Sequence, residues 1–236
     1  MVGMTNELNQ TYKCRYCEKA FRRESSLAAH LCEPKRCWQQ EKETGVQLGL
    51  KAYLRFYEIT QGSAKLKSYA DFVTSLYYNA FVKFGRYCQS IRCINFAVYL
   101  EWLLKNNKKI DQWCSDKLYV DWLPEYLKKE AVHDALERAV TEMQDYADAN
   151  TEIKNDFNDY FRYSNNNRII HHITTGRISP WIVYNCASGV EFLDALTEEQ
   201  IAIVLPWINP PFWDKKFQDY LSDSLWVKDI LKQAGL

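Results

Sequence analysis

Residues 12–37 read YKCRYCEKAFRRESSLAAHLCEPKRC, and their spacing predicts a small module folded around a metal ion. Cys14 and Cys17 are separated by two residues, so a tight knuckle can direct both thiolates at one tetrahedral ion. Leu27 and His30 are three positions apart and share one face of a short helix. His30 then points at the ion while Leu27 packs on Phe21. Because so small a core cannot offset the ordering entropy of the chain, the metal supplies the folding free energy.

This pattern resembles the Cys2His2 zinc-finger family, which implies one bound zinc ion and a ββα arrangement. The family places its fourth ligand three to five residues after His30, where this chain has neither His nor Cys. Cys32 follows after one intervening residue and Cys37 after six. On a continuing helix Cys32 would point away from the ion and Cys37 would lie about 10 Å along the axis. Pro34 disfavours helix at the residue before it, so either cysteine can swing back. We predict Cys14, Cys17, His30 and Cys32 as ligands, with Cys37 as the alternative to Cys32.

The family resemblance also implies which positions would read DNA bases. These positions are occupied here by Arg23, Ser26 and Ala29. Arg23 can pair with guanine, but Ser26 is ambiguous and Ala29 reads almost nothing. One finger covers about three base pairs, which is too little for sequence-specific regulation by itself.

Basic side chains surround the predicted ligands and can hold phosphates without reading sequence. The candidates are Lys13, Arg15, Lys19, Arg22, Arg23, Lys35 and Arg36. Residues 51–92 continue the basic character, with seven Lys or Arg against two acids. Within them, residues 77–87 interleave aromatic and basic side chains, a mixture that can bind single strands. The same stretch also fits a core helix from which Lys83 and Arg86 reach solvent.

The rest of the chain is predicted to be helical. With 8 Gly and 6 Pro in 236 residues, turn formers are scarce, which favours long helices. The expected fold is mostly α, with a small ββα-like zinc finger followed by an all-helical body. Its segments are a flexible tail at 1–11, the finger at 12–37, a polar linker at 38–46 and a helical domain at 47–236.

Several helix positions are predicted in detail. Residues 69–84 are expected to form one helix. Ser188–Glu191 and Thr197–Gln200 both fit a capping box. Ser179 is a candidate N-cap, with Pro180 at the first helical position.

The distribution of charge indicates what kinds of partner the chain can bind, and the positions of its cysteines indicate the redox state of its compartment. Residues 1–92 carry 15 Lys or Arg against 8 acids, whereas residues 93–236 carry 15 against 22. Such asymmetry suggests different partners for the two halves. Four of eight cysteines cluster around one histidine, which favours a metal site in a reducing compartment. The first ten residues lack an apolar core segment, and no apolar run approaches 18 residues, so neither a signal peptide nor a membrane partner is expected.

Signatures of catalysis are missing from the sequence. It contains no phosphate loop, dinucleotide fingerprint or metalloprotease helix. The adjacent His171 and His172 would point about 100° apart on a helix, so one is expected to be buried and the other exposed. Arg177 follows a glycine in a turn that can meet a phosphate or serve only as a connection. We therefore expect no enzyme and no small-molecule substrate.

Beyond the finger, the chain resembles uncharacterised single-finger proteins of T-even-type tailed bacteriophages, including their marine relatives. The resemblance rests on the finger followed by HLCEPKR (30–36), and on AYLRFYE (52–58), YYNAFVKFGRYC (77–88), NNKKIDQWC (106–114) and GRISPWIVYNC (176–186). It implies the cytoplasm of an infected bacterium, or the virion, as the setting, and it favours Cys32 as the fourth ligand. The resulting hypothesis is a zinc-binding accessory protein that binds nucleic acid with little sequence specificity. The alternative is a protein–protein adaptor or virion-assembly factor that docks through the finger.

Overall fold

The N-terminal module is a two-stranded hairpin followed by a short helix, in a computed structural model that describes residues 11–62, 67–150 and 156–236. Strands β1 (Tyr12–Lys13) and β2 (Ala20–Phe21) pair antiparallel, with Tyr12 opposite Phe21. Helix α1 (Glu24–Ala29) follows directly. This is the ββα arrangement that the sequence predicted. Residues 1–10 of the predicted tail lie outside the described residues.

The chain divides into two compact units, residues 1–115 and residues 116–236. After α1, the described helices of the first unit are α2 (Glu33–Gln39), α3 (Thr44–Gln61), α4 (Tyr69–Val73), α5 (Tyr78–Ser90) and α6 (Phe96–Lys105). Those of the second are α7 (Asp116–Leu127), α8 (Val132–Ala149), α9 (Tyr160–Tyr163), α10 (Asn166–Thr174), α11 (Pro180–Val183), α12 (Ala187–Asp194), α13 (Glu198–Ile208), α14 (Pro210–Asp219) and α15 (Leu221–Gln233). The predicted mostly helical fold class is confirmed. The predicted linker at 38–46 includes the end of α2 and the start of α3.

The first unit is built on close contact between α3 and α5. Glycines at Gly45, Gly49 and Gly85 remove the side chains that would separate the two backbones. A Cβ atom on Gly85 would lie 2.0 Å from the carbonyl oxygen of Gly45. Around this contact the core is aromatic: Phe81, Phe84 and Trp113 are buried, and the Phe84 and Trp113 ring centres lie 5.1 Å apart.

Residues 69–84 form two helices instead of the single predicted one. Helix α4 ends at Val73, and α5 begins at Tyr78. Between them the hydroxyl of Ser75 accepts a hydrogen bond from the amide of Tyr77 at 3.2 Å. Such local side-chain bonds compete with the helical ladder. The break leaves Leu76 almost fully exposed.

The second unit has its own core, centred on Trp181 and Trp213, whose ring centres lie 6.1 Å apart. The predicted N-cap at Ser179 and the capping box between Thr197 and Gln200 are confirmed. The capping box predicted at Ser188 is wrong, because the N-cap of α12 is Cys186, two residues earlier, and Ser188 is buried inside the helix. No helix among the residues that the structure describes is long and apolar enough to cross a membrane.

Candidate metal centre

The hairpin brings the first two cysteines together on a tight turn. The amide of Cys14 donates to the carbonyl of Lys19 at 2.9 Å, and the amide of Glu18 donates to the carbonyl of Cys14 at 2.8 Å. Glu18 closes the turn with a φ of 60°, in the left-handed region. The knuckle predicted between Cys14 and Cys17 is therefore present, and it presents both thiols on the same side.

Helix α1 ends early enough for the following residues to turn back. It stops at Ala29, and both His30 and Cys32 have extended backbone angles. The ammonium of Lys35 donates to the carbonyl of His30 at 2.9 Å and ties the turn to α2. The Phe21 ring lies 4.8 Å from the His30 ring, centre to centre. Phe21 therefore contacts the imidazole and limits its freedom to rotate.

The four predicted ligand atoms converge on one point. Those of Cys14, Cys17, His30 and Cys32 all lie within 4.8 Å of one another. The sulfurs of Cys14 and Cys32 are 3.9 Å apart, and the Cys17 sulfur is 3.2 Å from Nε2 of His30. In a tetrahedral site with Zn–S bonds of about 2.3 Å, two sulfurs lie about 3.8 Å apart. This arrangement can hold one metal ion.

The proximity of three thiols makes their ionisation unequal. The backbone amide of Tyr16, which points at the Cys14 sulfur, lowers the pKa of that thiol. The Lys19 amide also favours the Cys17 thiolate, but burial and the neighbouring cysteines outweigh it and raise the pKa of Cys17. Several thiolates at this spacing repel one another, and a bound cation removes that repulsion.

The structure separates the two candidates for the fourth ligand. Cys32 lies with the other three ligands, whereas Cys37 lies on α2 and is buried among other partners. The carbonyl of Cys37 accepts a hydrogen bond from the hydroxyl of Tyr69 at 2.7 Å, and Cys37 and Tyr78 line the same small cleft. Cys37 thus helps to attach α2 to α4.

Most of the predicted phosphate-binding residues are exposed around the centre. Lys35 is half-buried and tied to His30, and Arg15 lies over the ring of Tyr16 at 4.7 Å. None of the predicted residues forms an ion pair with a carboxylate among the described parts of the chain. The exposed members are Lys13, Arg15, Lys19, Arg22, Arg23 and Arg36. The finger therefore presents a positively charged surface. Glu18, Glu24 and Glu33 are exposed on the same module and reduce its charge.

The histidine pair behaves as predicted, with His171 exposed and His172 buried. The sequence did not reveal the partners of His172. Its Nδ1 lies 2.7 Å from the hydroxyl of Tyr160, and its Nε2 lies 3.5 Å from the carboxylate of Glu142. Arg177, a candidate for phosphate contact, lies 3.5 Å from the same carboxylate. This network links α8, α9 and α10, and no short-range motif could have indicated it because its members are up to 35 positions apart.

Comparison with models of known protein families, with curated proteins and with solved structures finds nothing that matches this chain.

Proposed function

We propose that the protein binds one zinc ion through Cys14, Cys17, His30 and Cys32. The convergence of these four ligand atoms supports the proposal. Three thiolate sulfurs and one imidazole nitrogen form a donor set that zinc takes in structural sites, where four protein ligands leave no position open for a substrate. The ion therefore stabilises the module, and no catalytic activity is proposed.

We further propose that the first unit binds nucleic acid with little sequence preference. The observation that carries this proposal is the set of exposed arginines and lysines around the metal centre that lack a carboxylate partner among the described residues. The charge of each unit supports it. Residues 1–115 contain 18 Lys or Arg against 10 acids, whereas residues 116–236 contain 12 against 20. A positive unit attracts the phosphate backbone, and a negative unit repels it.

The helix α1 explains the expected lack of specificity. Arg23 precedes it, and Ser26 and Ala29 lie exposed on it. Only Arg23 offers a bidentate contact to a base edge, so discrimination between sequences is small. The resemblance to phage proteins suggests the setting, which is the cytoplasm of an infected bacterium or the virion.

Salt-dependent binding tests the proposal. We expect the full-length protein to retard DNA in gel electrophoresis at low salt. On duplex DNA, a plot of the logarithm of the affinity against the logarithm of the salt concentration should have a slope of roughly −0.9 for each phosphate that the protein neutralises. The double substitution Arg22→Ala/Arg23→Ala should weaken binding to all sequences equally and make the slope shallower by about 1.8. The control Lys228→Ala/Lys232→Ala removes two exposed charges from α15 and should change neither quantity. Equal slopes for wild-type protein and the arginine variant would reject the proposal.

Docking to a protein partner is the second candidate, and one observation favours it. Leu76 is 98% exposed, and it lines a small cleft of about 250 Å³ together with Glu33, Pro34 and Cys37. A protein partner that covered Leu76 and filled this cleft would remove the apolar surface of the leucine from water. If zinc-loaded protein fails to retard single-stranded DNA, duplex DNA and RNA at low salt, this candidate takes precedence.

A further inference from the structure

A larger cleft opens in the first unit, away from the predicted zinc ligands in sequence. Its volume is about 690 Å³, within the range of about 300–1,000 Å³ common for ligand sites. The end of α3, the start of α5 and the turn after α6 form its walls. The described residues that line it include aromatic, amide and lysine side chains but no acidic residue.

Aromatic side chains form one wall and the floor. Tyr77 is 51% exposed at the start of α5, and Tyr57 is half-buried on α3. Phe56 also lines the cleft, with its ring centre 5.7 Å from that of Phe81 and 6.2 Å from that of Trp113. This part of the aromatic lining is therefore continuous with a packed core, which keeps it in place.

Lysine side chains give the cleft its positive charge. Lys108 and Lys109 line it in the turn after α6. Lys67 is not part of the described lining, and its ammonium lies 5.0 Å from the ring centre of Tyr57. Acids on the flanking helices are already paired, because Glu58 and Glu101 both bind Arg55. Asp111 is exposed nearby but does not line the cleft.

The dipoles of two helices reduce the positive charge of the cleft but do not make it negative. The C-terminal ends of α3 and α6 both contribute residues to the cleft, and each carries a partial charge of about −0.5. The two lining lysines contribute two full positive charges, so the cleft favours an anion. A planar aromatic group with an attached negative charge matches this aromatic and basic lining.

We propose that this cleft binds one unpaired nucleotide of a single-stranded nucleic acid. The base stacks on Tyr77, and the phosphate contacts Lys108 and Lys109. Stacking on exposed aromatic side chains is tolerant of sequence, and a duplex cannot use it because its base faces are already covered. The inference rests on the proposed function and specifies single strands as the preferred form.

Anisotropy with fluorescein-labelled (dT)15 and with a labelled duplex hairpin tests the cleft. Tyr77→Ala should weaken (dT)15 binding about tenfold, as expected for one lost stacking contact, and leave hairpin binding unchanged. Lys109→Glu should act in the same direction. The matched controls are Tyr163→Ala, at a tyrosine that is 60% exposed in the second unit, and Lys42→Glu, at an exposed lysine between α2 and α3. Wild-type affinity of both cleft variants for (dT)15 would overturn the proposal.

A (dT)15 strand with 5-iodouracil near its centre locates the contact on the wild-type protein, so the result does not depend on whether a variant folds. Irradiation should crosslink the strand to Tyr77, as mapped by peptide mass spectrometry. Crosslinks confined to the finger would overturn the cleft proposal. Unlabelled dTMP should not displace (dT)15 at equal nucleotide concentration, because it lacks the neighbouring phosphates. Equal displacement would identify free nucleotide as the ligand and overturn the single-strand assignment.

The two proposals fail in different ways. If Arg22→Ala/Arg23→Ala weakens both probes and Tyr77→Ala weakens neither, the finger binds nucleic acid and the cleft does not. If Tyr77→Ala and Lys109→Glu weaken (dT)15 and the arginine variant weakens nothing, the cleft proposal stands and the proposal for the finger is rejected.

Discussion

The sulfur atoms of Cys14 and Cys32 lie 3.9 Å apart, although 18 positions separate the residues in sequence. A disulfide requires a sulfur–sulfur distance of about 2.05 Å, and neither Cys14 nor Cys32 forms one. The distance instead matches two corners of a tetrahedron around zinc. It results from the early end of α1, which returns the chain towards the hairpin.

Replacing the two candidate cysteines should therefore give opposite results. Cys32→Ser removes a ligand and should release zinc, because the remaining three ligands leave an open position. Cys37→Ser should retain one zinc per chain, since Cys37 lies among Tyr69 and Tyr78 instead. Native mass spectrometry measures the ratio, with Cys14→Ser as a control that also loses the ion. Zinc loss from Cys37→Ser with retention in Cys32→Ser would contradict the assignment.

The contact between α3 and α5 should not tolerate a side chain at Gly85. A Cβ there would lie 2.0 Å from the Gly45 carbonyl oxygen and 2.5 Å from the Gly49 amide nitrogen. Both obstacles are backbone atoms, so the helices must separate. We expect Gly85→Ala to lower the free energy of unfolding of the first unit by about 2 kcal/mol or more, despite the higher helix propensity of alanine.

Thermal unfolding followed by circular dichroism measures this effect. The control is Lys83→Ala, at an exposed position of the same helix, which should change stability by less than about 0.5 kcal/mol. A Gly85→Ala variant as stable as wild-type protein would show that the two helices can separate without cost.

Buried and exposed ion pairs of the second unit should differ in their contribution. The Glu130 carboxylate is fully buried and binds both terminal nitrogens of Arg138. Arg138→Ala leaves that carboxylate unpaired and should destabilise the unit by about 3–5 kcal/mol. Lys215→Ala breaks an exposed pair with Asp219 and should cost less than about 1 kcal/mol. Denaturant titration measures both.

A double variant separates charge burial from packing at this site. Glu130→Leu/Arg138→Met removes both charges and should be more stable than Arg138→Ala, because no unpaired carboxylate remains. Both variants lose the bond from Arg138 to the Gly176 carbonyl. If the double variant were the less stable of the two, the difference would reflect poor packing of the new leucine and methionine.

Truncations test where the chain can be divided. Residues 116–236 contain a complete core and should unfold cooperatively alone. A chain beginning at Gly45 loses Cys37, which is buried, and Trp38, whose ring lies 5.0 Å from that of Tyr69. We expect it to be less stable than a chain beginning at Glu33, which keeps α2. Equal melting temperatures would instead support the boundary predicted at 38–46.

Local signals predicted the features that depend on neighbouring residues. The cysteine spacing indicated the knuckle, and Thr197 and Gln200 indicated a helix start that the structure confirms. Ser188 carries the same local signal, yet it is buried within α12, whose N-cap is Cys186. The break between α4 and α5 was missed for a different reason, which is local. A hydroxyl bond in the turn competes with an otherwise helical pattern.

The sequence by itself determined the helical class, the hairpin with its first three candidate ligands and the basic character of the N-terminal part. These follow from periodicity, spacing and composition, which are properties of adjacent residues. Only the tertiary structure shows that Cys32, and not Cys37, lies with the other three candidate ligands. It alone also shows the contact between Tyr160 and His172, and the cleft formed by α3, α5 and the turn after α6. Such choices depend on where distant segments meet. The close approach of α3 and α5 at their glycines is one example, because the spacing of glycines along the chain does not specify which helices will pack together.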